Sequence, residues 1–279
     1  MNRRCVIYMK NRDHARTRKV GIRKAVIAEF AGTAILISVG LSIVIAFFGD
    51  GSPLPALLPD PGIRRLMTGF LFGTTGALIA VSWCGKTSGA HINPAVTFSF
   101  WTLKKMTGPL ALGYILAQFS GALLGALPLL FWDGIGRSVN FGATIPGAEF
   151  GPKMALFGEI ITTFALIMGL FLFIGYRRLA KWTPLLFPFL YAVMVYWEAP
   201  ISGTSTNPAR TFGPAVISGA WTGWWIYFAG PLLGAGLAIM IKEIGFLKRL
   251  EIRIAKIYHF NHDPHQIFIK REEIPAGKT

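Results

Sequence analysis

Residues 88–98, SGAHINPAVTF, return at residues 202–212 as SGTSTNPARTF, and this repetition restricts the fold more than any other feature of the chain. Each copy carries Ser-Gly, three further residues, then Asn-Pro-Ala, in a loop between long apolar runs. Asn caps the orphan N–H groups of a helix start, Pro is tolerated at the first helical position, and Ala continues cheaply. The motifs therefore predict short helices from 94 to about 102 and from 208 to about 218. At about 1.5 Å per residue these reach only ~12–17 Å, against a hydrocarbon core of ~30 Å. Neither can span a bilayer alone. Laid end to end from opposite faces, the two would cross it, with both positive N-termini and both Asn side chains meeting near the middle.

Composition agrees with a membrane setting. Of 279 residues, 53% are hydrophobic and 15% charged, where soluble domains average about 25% charged. Cys5 and Cys84 are the only cysteines, too few for a disulfide framework. Residues 1–24 hold nine Lys/Arg against Asp13 alone. They lack the apolar core and small-residue cleavage site of a signal peptide, so the first membrane helix is expected to direct insertion. The arm reads as a cytoplasmic segment near anionic headgroups. Nucleic-acid binding is set aside because the arm abuts a membrane helix.

Six apolar spans follow, at about 25–48, 66–84, 109–131, 154–176, 184–197 and 222–241. They define a membrane domain at 25–241, between the basic arm 1–24 and a tail 242–279. An even number of crossings puts both termini on one side. Twenty-three of the 28 Lys/Arg fall in the termini and the loops sharing their side; Arg64, Arg65, Arg137, Lys153 and Arg210 fall on the other. The positive-inside rule then places both termini in the cytoplasm, and the two motif loops enter from opposite faces.

The repetition extends beyond the motifs. AEFAGTAILISVG at Ala28 pairs with GEIITTFALIMGL at Gly158, matching Glu29 to Glu159, and SGALLGA at Ser120 pairs with AGPLLGA at Ala229. The order Glu, Asn-Pro-Ala, Gly-x-x-x-Gly occurs twice, in repeats of about 25–131 and 154–241 with three spans each. An odd number of spans inverts the second copy, and inverted repeats place their site at the midplane. Gly121/Gly125 and Gly230/Gly234 are expected to permit close helix contact. In such a site Asn93 and Asn207 would cap their half-helices and offer amide N–H donors to the lumen. Two helix N-termini of roughly +0.5 charge each would repel a cation or an excess proton.

With these residues in place, the chain resembles the aquaporin, or major intrinsic protein, family over about 25–241. The pattern is two Asn-Pro-Ala loops, Arg210 directly after the second, and a Glu in the first span of each half. The resemblance implies an all-α membrane protein of six transmembrane helices plus two re-entrant half-helices, a pore through each protomer, and a homotetramer. It makes Asn93, Pro94, Ala95, Asn207, Pro208 and Ala209 the pore motifs and Glu29 and Glu159 structural anchors of the loops. Arg210 becomes the cation-excluding donor of an outer constriction shared with Val195, Thr204 and either Gly73 or Phe72. The carbonyls of Gly89, Ala90, His91, Gly203, Ser205 and Thr206 face a water-filled lumen as an acceptor ladder. His91 is either a pH sensor or, on the plainer reading adopted here, a packed brace. Family members restricted to water often carry a large aromatic and a His at the second- and fifth-span places, where this chain has Val195 in the latter. Glycerol-conducting relatives usually carry Asp after Asn-Pro-Ala-Arg, whereas this chain has Thr211, and Pro where Tyr227 and Phe228 stand.

The expected function is a passive water channel that excludes ions and protons, with small uncharged solutes such as glycerol or urea as the alternative cargo. The lipid bilayer is its surrounding partner, in a plasma or cell inner membrane. No cofactor or metal is expected. A secondary transporter with inverted repeats would need coupling-ion ligands and mobile broken spans, and two symmetric Glu residues argue against that. An enzyme would need a His/Cys/Asp cluster or nucleophile–base pair, which the spans lack.

Overall fold

The computed structural model describes residues 3–258, 263 and 267–268, with side chains described from residue 19 onward except that of residue 246. Among the described residues the secondary structure is helical throughout, with no strand. Eight helices carry the architecture: α1 (Arg3–Phe48), α2 (Pro61–Val81), α3 (Pro94–Thr102), α4 (Gly108–Ala126), α5 (Gly151–Gly175), α6 (Thr183–Ser202), α7 (Pro208–Ser218) and α8 (Ile226–Lys242). The half-helices α3 and α7 run over the residues that the Asn-Pro-Ala caps predict, and each is N-capped by its own Asn side chain. The other six are the crossings of a fold with two re-entrant helices. Residues 19–48, 108–137, 151–175 and 180–202 are long and apolar enough to span by composition alone.

Two boundaries differ from the sequence expectation. The first helix does not begin near residue 25 but continues from the basic arm, so arm and first span are one helix. The fifth span runs to Ser202 rather than ending near 197, despite Glu198 and Pro200. Proline removes the N–H that would bond the carbonyl four residues back, and that carbonyl, of Tyr196, accepts instead from Arg65 Nε at 3.1 Å. With its orphan acceptor satisfied, the helix passes through the proline.

Packing repeats as the sequence repeats. A methyl built on Gly121 or Gly125 of α4 would overlap the α1 backbone at Phe30 and Ala34. One on Gly230 or Gly234 of α8 would overlap α5 at Glu159 and Ile160. Both Gly-x-x-x-Gly pairs thus bring the first and third span of their own half together. A third pair, Gly69 and Gly73 of α2, meets the α6 backbone at Tyr191 and Phe187 and joins the halves. Ser38 Oγ donates to the Gly125 carbonyl at 2.7 Å, so the α1–α4 contact also carries a hydrogen bond.

Gly73→Ala should lower thermal stability in detergent by about 1–3 kcal/mol, the cost of overpacking a close contact. Gly236→Ala, at a helical site with nothing within 4 Å of the added carbon, should be neutral or slightly stabilising, which a melting curve of the two variants checks.

Candidate functional site

The site is built where two non-helical loops meet. Residues 89–92 and 203–206 precede their Asn caps with matched backbone angles: φ is +91°, +50° and +42° at Gly89, Ala90 and Ile92, and +87°, +52° and +53° at Gly203, Thr204 and Thr206. Positive φ is uncommon for side chains with a Cβ and strained for branched ones such as Ile92, Thr204 and Thr206. Such a backbone persists only if its surroundings hold it.

Glu29 of α1 holds the first loop. Its carboxylate accepts from the His91 and Ile92 backbone N–H groups at 2.9 and 2.7 Å, from Ser88 Oγ at 2.6 Å and from Gln118 Nε2 at 2.7 Å. Glu159 of α5 holds the second, accepting from the Ser205 and Thr206 N–H groups at 2.7 and 2.8 Å and from Ser202 Oγ at 2.6 Å. Both carboxylates are fully buried. A second symmetric pair had no signal in the motifs: Tyr114 and Tyr227 donate their hydroxyls to the Ser88 and Ser202 carbonyls at 2.9 and 2.8 Å. Each loop is therefore gripped by one acid and one phenol.

The Asn side chains then clasp the two loops to each other. Asn93 Oδ1 accepts from Ala95 N at 2.8 Å, closing its own cap, while its Nδ2 donates to the Thr206 carbonyl at 2.9 Å. Asn207 Oδ1 accepts from Ala209 N and Arg210 N, and its Nδ2 donates to the Ile92 carbonyl at 2.9 Å. An amide nitrogen carries two N–H donors. One from each Asn fixes the opposite loop, and the second is left for the cavity that both residues line.

That central cavity holds about 40 Å³ between the Asn pair, Phe72, Ile92, Phe187, Tyr191 and Ile257. Since one water needs roughly 10–15 Å³ on this measure, it accommodates a short file of waters. A wider cavity of about 310 Å³ lies on the Arg210 side, walled by Arg65, Thr68, Gly142, Val195, Gly203 and Arg210 among others. Arg210 is buried and donates from Nη1 to the Gly142 carbonyl at 2.7 Å.

Val195 and Arg210 therefore share one cavity wall. Gly73 and Phe72, one of which the sequence assigned to the same neck, line the central cavity instead, and Thr68 stands in the outer one. The reason is the antiparallel contact of α2 with α6. Gly73 lies against Phe187 and Gly69 against Tyr191, so each step back along α2 matches a step forward along α6. That register brings Arg65 and Thr68 toward Val195. In the loop, Gly203 walls the outer cavity, and Thr204, buried one residue on, is not among the lining residues described. His91 is packed: Nδ1 lies 3.1 Å from Thr97 Oγ1, Nε2 lies 3.0 Å from the Ala255 carbonyl, and its ring stacks on Phe100. Of the loop carbonyls, Thr206 accepts from Asn93, Ser205 from Thr206 Oγ1, and Gly89 from Ile257 N.

Comparison with known proteins places this geometry. The Major intrinsic protein family profile matches residues 16–242. Aquaporin-4 of Mus musculus is 33% identical over 232 residues, covering 82% of this chain and 69% of its own. The probable aquaporin TIP2-2 of Oryza sativa subsp. japonica is 35% identical over 230 residues, covering 80% and 88%. Among solved structures, the aquaglyceroporin from Plasmodium falciparum superposes with a TM-score of 0.66 at 20% identity, over 80% of this chain and 96% of that one. The fold and site thus define a multi-pass membrane channel rather than an enzyme. The chain belongs to the major intrinsic protein family.

Replacing Glu159 with Gln leaves one carbonyl oxygen for one of the Ser205 and Thr206 N–H groups and turns an NH₂ group toward the other, which loses its acceptor. Stability should fall by about 1.5–3 kcal/mol, and solute flux through reconstituted protein should fall with it; a melting curve and a flux assay check both.

Proposed function

We propose that the chain is a passive water pore that rejects ions and protons. The observation that supports this best is the small central cavity lined by both Asn93 and Asn207, the caps at the N-termini of two opposed half-helices. A water oxygen there accepts from both amides, its hydrogens turn outward along the file, and proton hopping through the centre loses its orientation. The two N-terminal dipoles add roughly +0.5 charge each where solvent screening is weak. Arg210 and Arg65 add two guanidinium groups to the outer cavity, and Val195, Thr68 and Gly203 complete its wall. The carbonyls of Gly89, Ala90, His91, Gly203, Ser205 and Thr206 act as the acceptors that replace lost hydration.

Glycerol- or urea-sized neutral solutes are the second reading. It is favoured by the roomier outer cavity, where Val195 leaves space that a larger ring would fill. The protein is oriented with both termini in the cytoplasm of a plasma or inner membrane, as the basic bias of the terminal face argues. Its many exposed apolar side chains, among them Leu112, Leu116, Phe189, Val193 and Leu233, suit lipid and the flanks of a homotetramer.

Proteoliposomes should shrink under osmotic stress with a low activation energy and no dependence on a proton gradient; gradient-driven uptake would overturn the channel reading. Arg210→Val should keep the fold and admit a measurable proton or cation leak. Val195→His should raise the ratio of water to glycerol flux, and an unchanged ratio would remove Val195 from the neck.

A further inference from the structure

The segment beyond α8 is neither a pore motif nor part of the family match, which ends at residue 242. After the 3-10 turn Gly245–Arg249 the chain is irregular, with bends at residues 254–255 and 257–258. It crosses the end of α5, where Leu250 packs on Gly175, and reaches the loop of the first motif. Ile252, Ala255, Lys256 and Ile257 are buried there. Ile257 N donates to the Gly89 carbonyl at 3.0 Å, the Ala255 carbonyl lies 3.0 Å from His91 Nε2, and Lys256 Nζ donates to the Lys86 carbonyl at 2.6 Å. Gly89 is required twice over: its φ is positive, and a methyl on it would overlap the Ala255 carbonyl and Lys256 Cα. Ile257 is itself a wall of the central cavity, alongside Asn93 and Asn207.

These contacts fall on the groups that a permeating molecule would use. Gly89 begins the acceptor ladder, and His91 is one of the residues that line the central cavity. Both are taken by tail backbone, and an aliphatic side chain occupies the space beyond them. Resting on the pore reading above, we infer that residues 250–258 form a plug that docks in the terminal mouth of the pore and closes it, with Ile257 as the stopper. The anchoring is mixed: apolar burial of Ile252, Ala255 and Ile257, and three polar contacts that only this backbone register makes. Burial pushes the pKa of Lys256 down to about 8, partly opposed by Asp263, which fits an ammonium drawn out of bulk water onto the Lys86 carbonyl. Asp263 in turn accepts from the Ile267 and Phe268 N–H groups at 3.1 and 3.0 Å, and Lys256 lies over the Phe268 ring at 5.7 Å.

The test uses the full chain in liposomes, as wild type and as the double variant Ile252→Asp/Ile257→Asp, whose charges oppose burial of the segment. Hydrogen exchange at residues 254–258 reports docking, and stopped-flow light scattering reports water flux. Protected amides and low flux in the wild type are expected. In the variant, exchange should be fast and flux higher by about tenfold or more, as for a plug docked in at least nine molecules of ten. Fast exchange in the wild type would overturn docking. Lost protection with unchanged, substantial flux would overturn closure while leaving the channel reading intact. Protection lost without flux in either protein would remove the channel reading, and the plug with it.

Discussion

Irregular backbone at membrane depth has no water to satisfy it, and that constraint organises this molecule. Residues 89–92 and 203–206 hold positive φ angles that cannot form helix, so their N–H groups must find acceptors elsewhere. Glu29 and Glu159 supply them, from helices that lie outside the loops and are themselves locked by glycine contacts to α4 and α8. An intramembrane acid is expensive unless paired or hydrogen-bonded. Here each one is spent on a loop, which explains two symmetric carboxylates without a coupling ion.

From that support the rest follows in order. Fixed loops bring α3 and α7 tip to tip; the tips let Asn93 and Asn207 reach across and bond the opposite loop. Each Asn thus serves as a helix cap, a strut between halves, and a donor at the cavity. Because the strut consumes one amide hydrogen and the cap consumes the oxygen, what is left to the cavity is donor alone. A site offering donors and positive dipole ends favours a neutral oxygen and disfavours positive charge.

Much of this was legible in the sequence because it is local and duplicated. Asn before Pro before Ala predicted the half-helix bounds, the doubled Glu pointed to the loops, and the Gly-x-x-x-Gly pairs predicted close helix contacts without naming the partner spans. What escaped depends on tertiary register or on unrepeated sequence. Counting back along the second span gave Gly73 or Phe72 for the neck, but the α2–α6 contact slides Thr68 and Arg65 toward Val195. The apolar run of the fifth span stops near residue 197, and the distant Arg65 explains how the helix continues through Pro200. Tyr114 and Tyr227 were readable as a symmetric pair only after the Ser88 and Ser202 carbonyls were seen to need donors. The tail from residue 250 has no counterpart in the other half, so symmetry offered no hint that Ile257 enters the cavity.

The clasp between the halves is the claim on which the rest depends. Solid-state NMR of the protein in bilayers, with ¹⁵N on the Asn side chains and ¹³C on the Ile92 and Thr206 carbonyls, measures it directly. The account predicts that each Asn amide nitrogen lies within hydrogen-bond reach of the opposite loop, at the 2.9 Å separation from its carbonyl oxygen seen on both sides. Measured ¹⁵N–¹³C distances that put an amide nitrogen well beyond ~3.5 Å from the facing carbonyl oxygen would mean that the half-helices do not meet, and would contradict it.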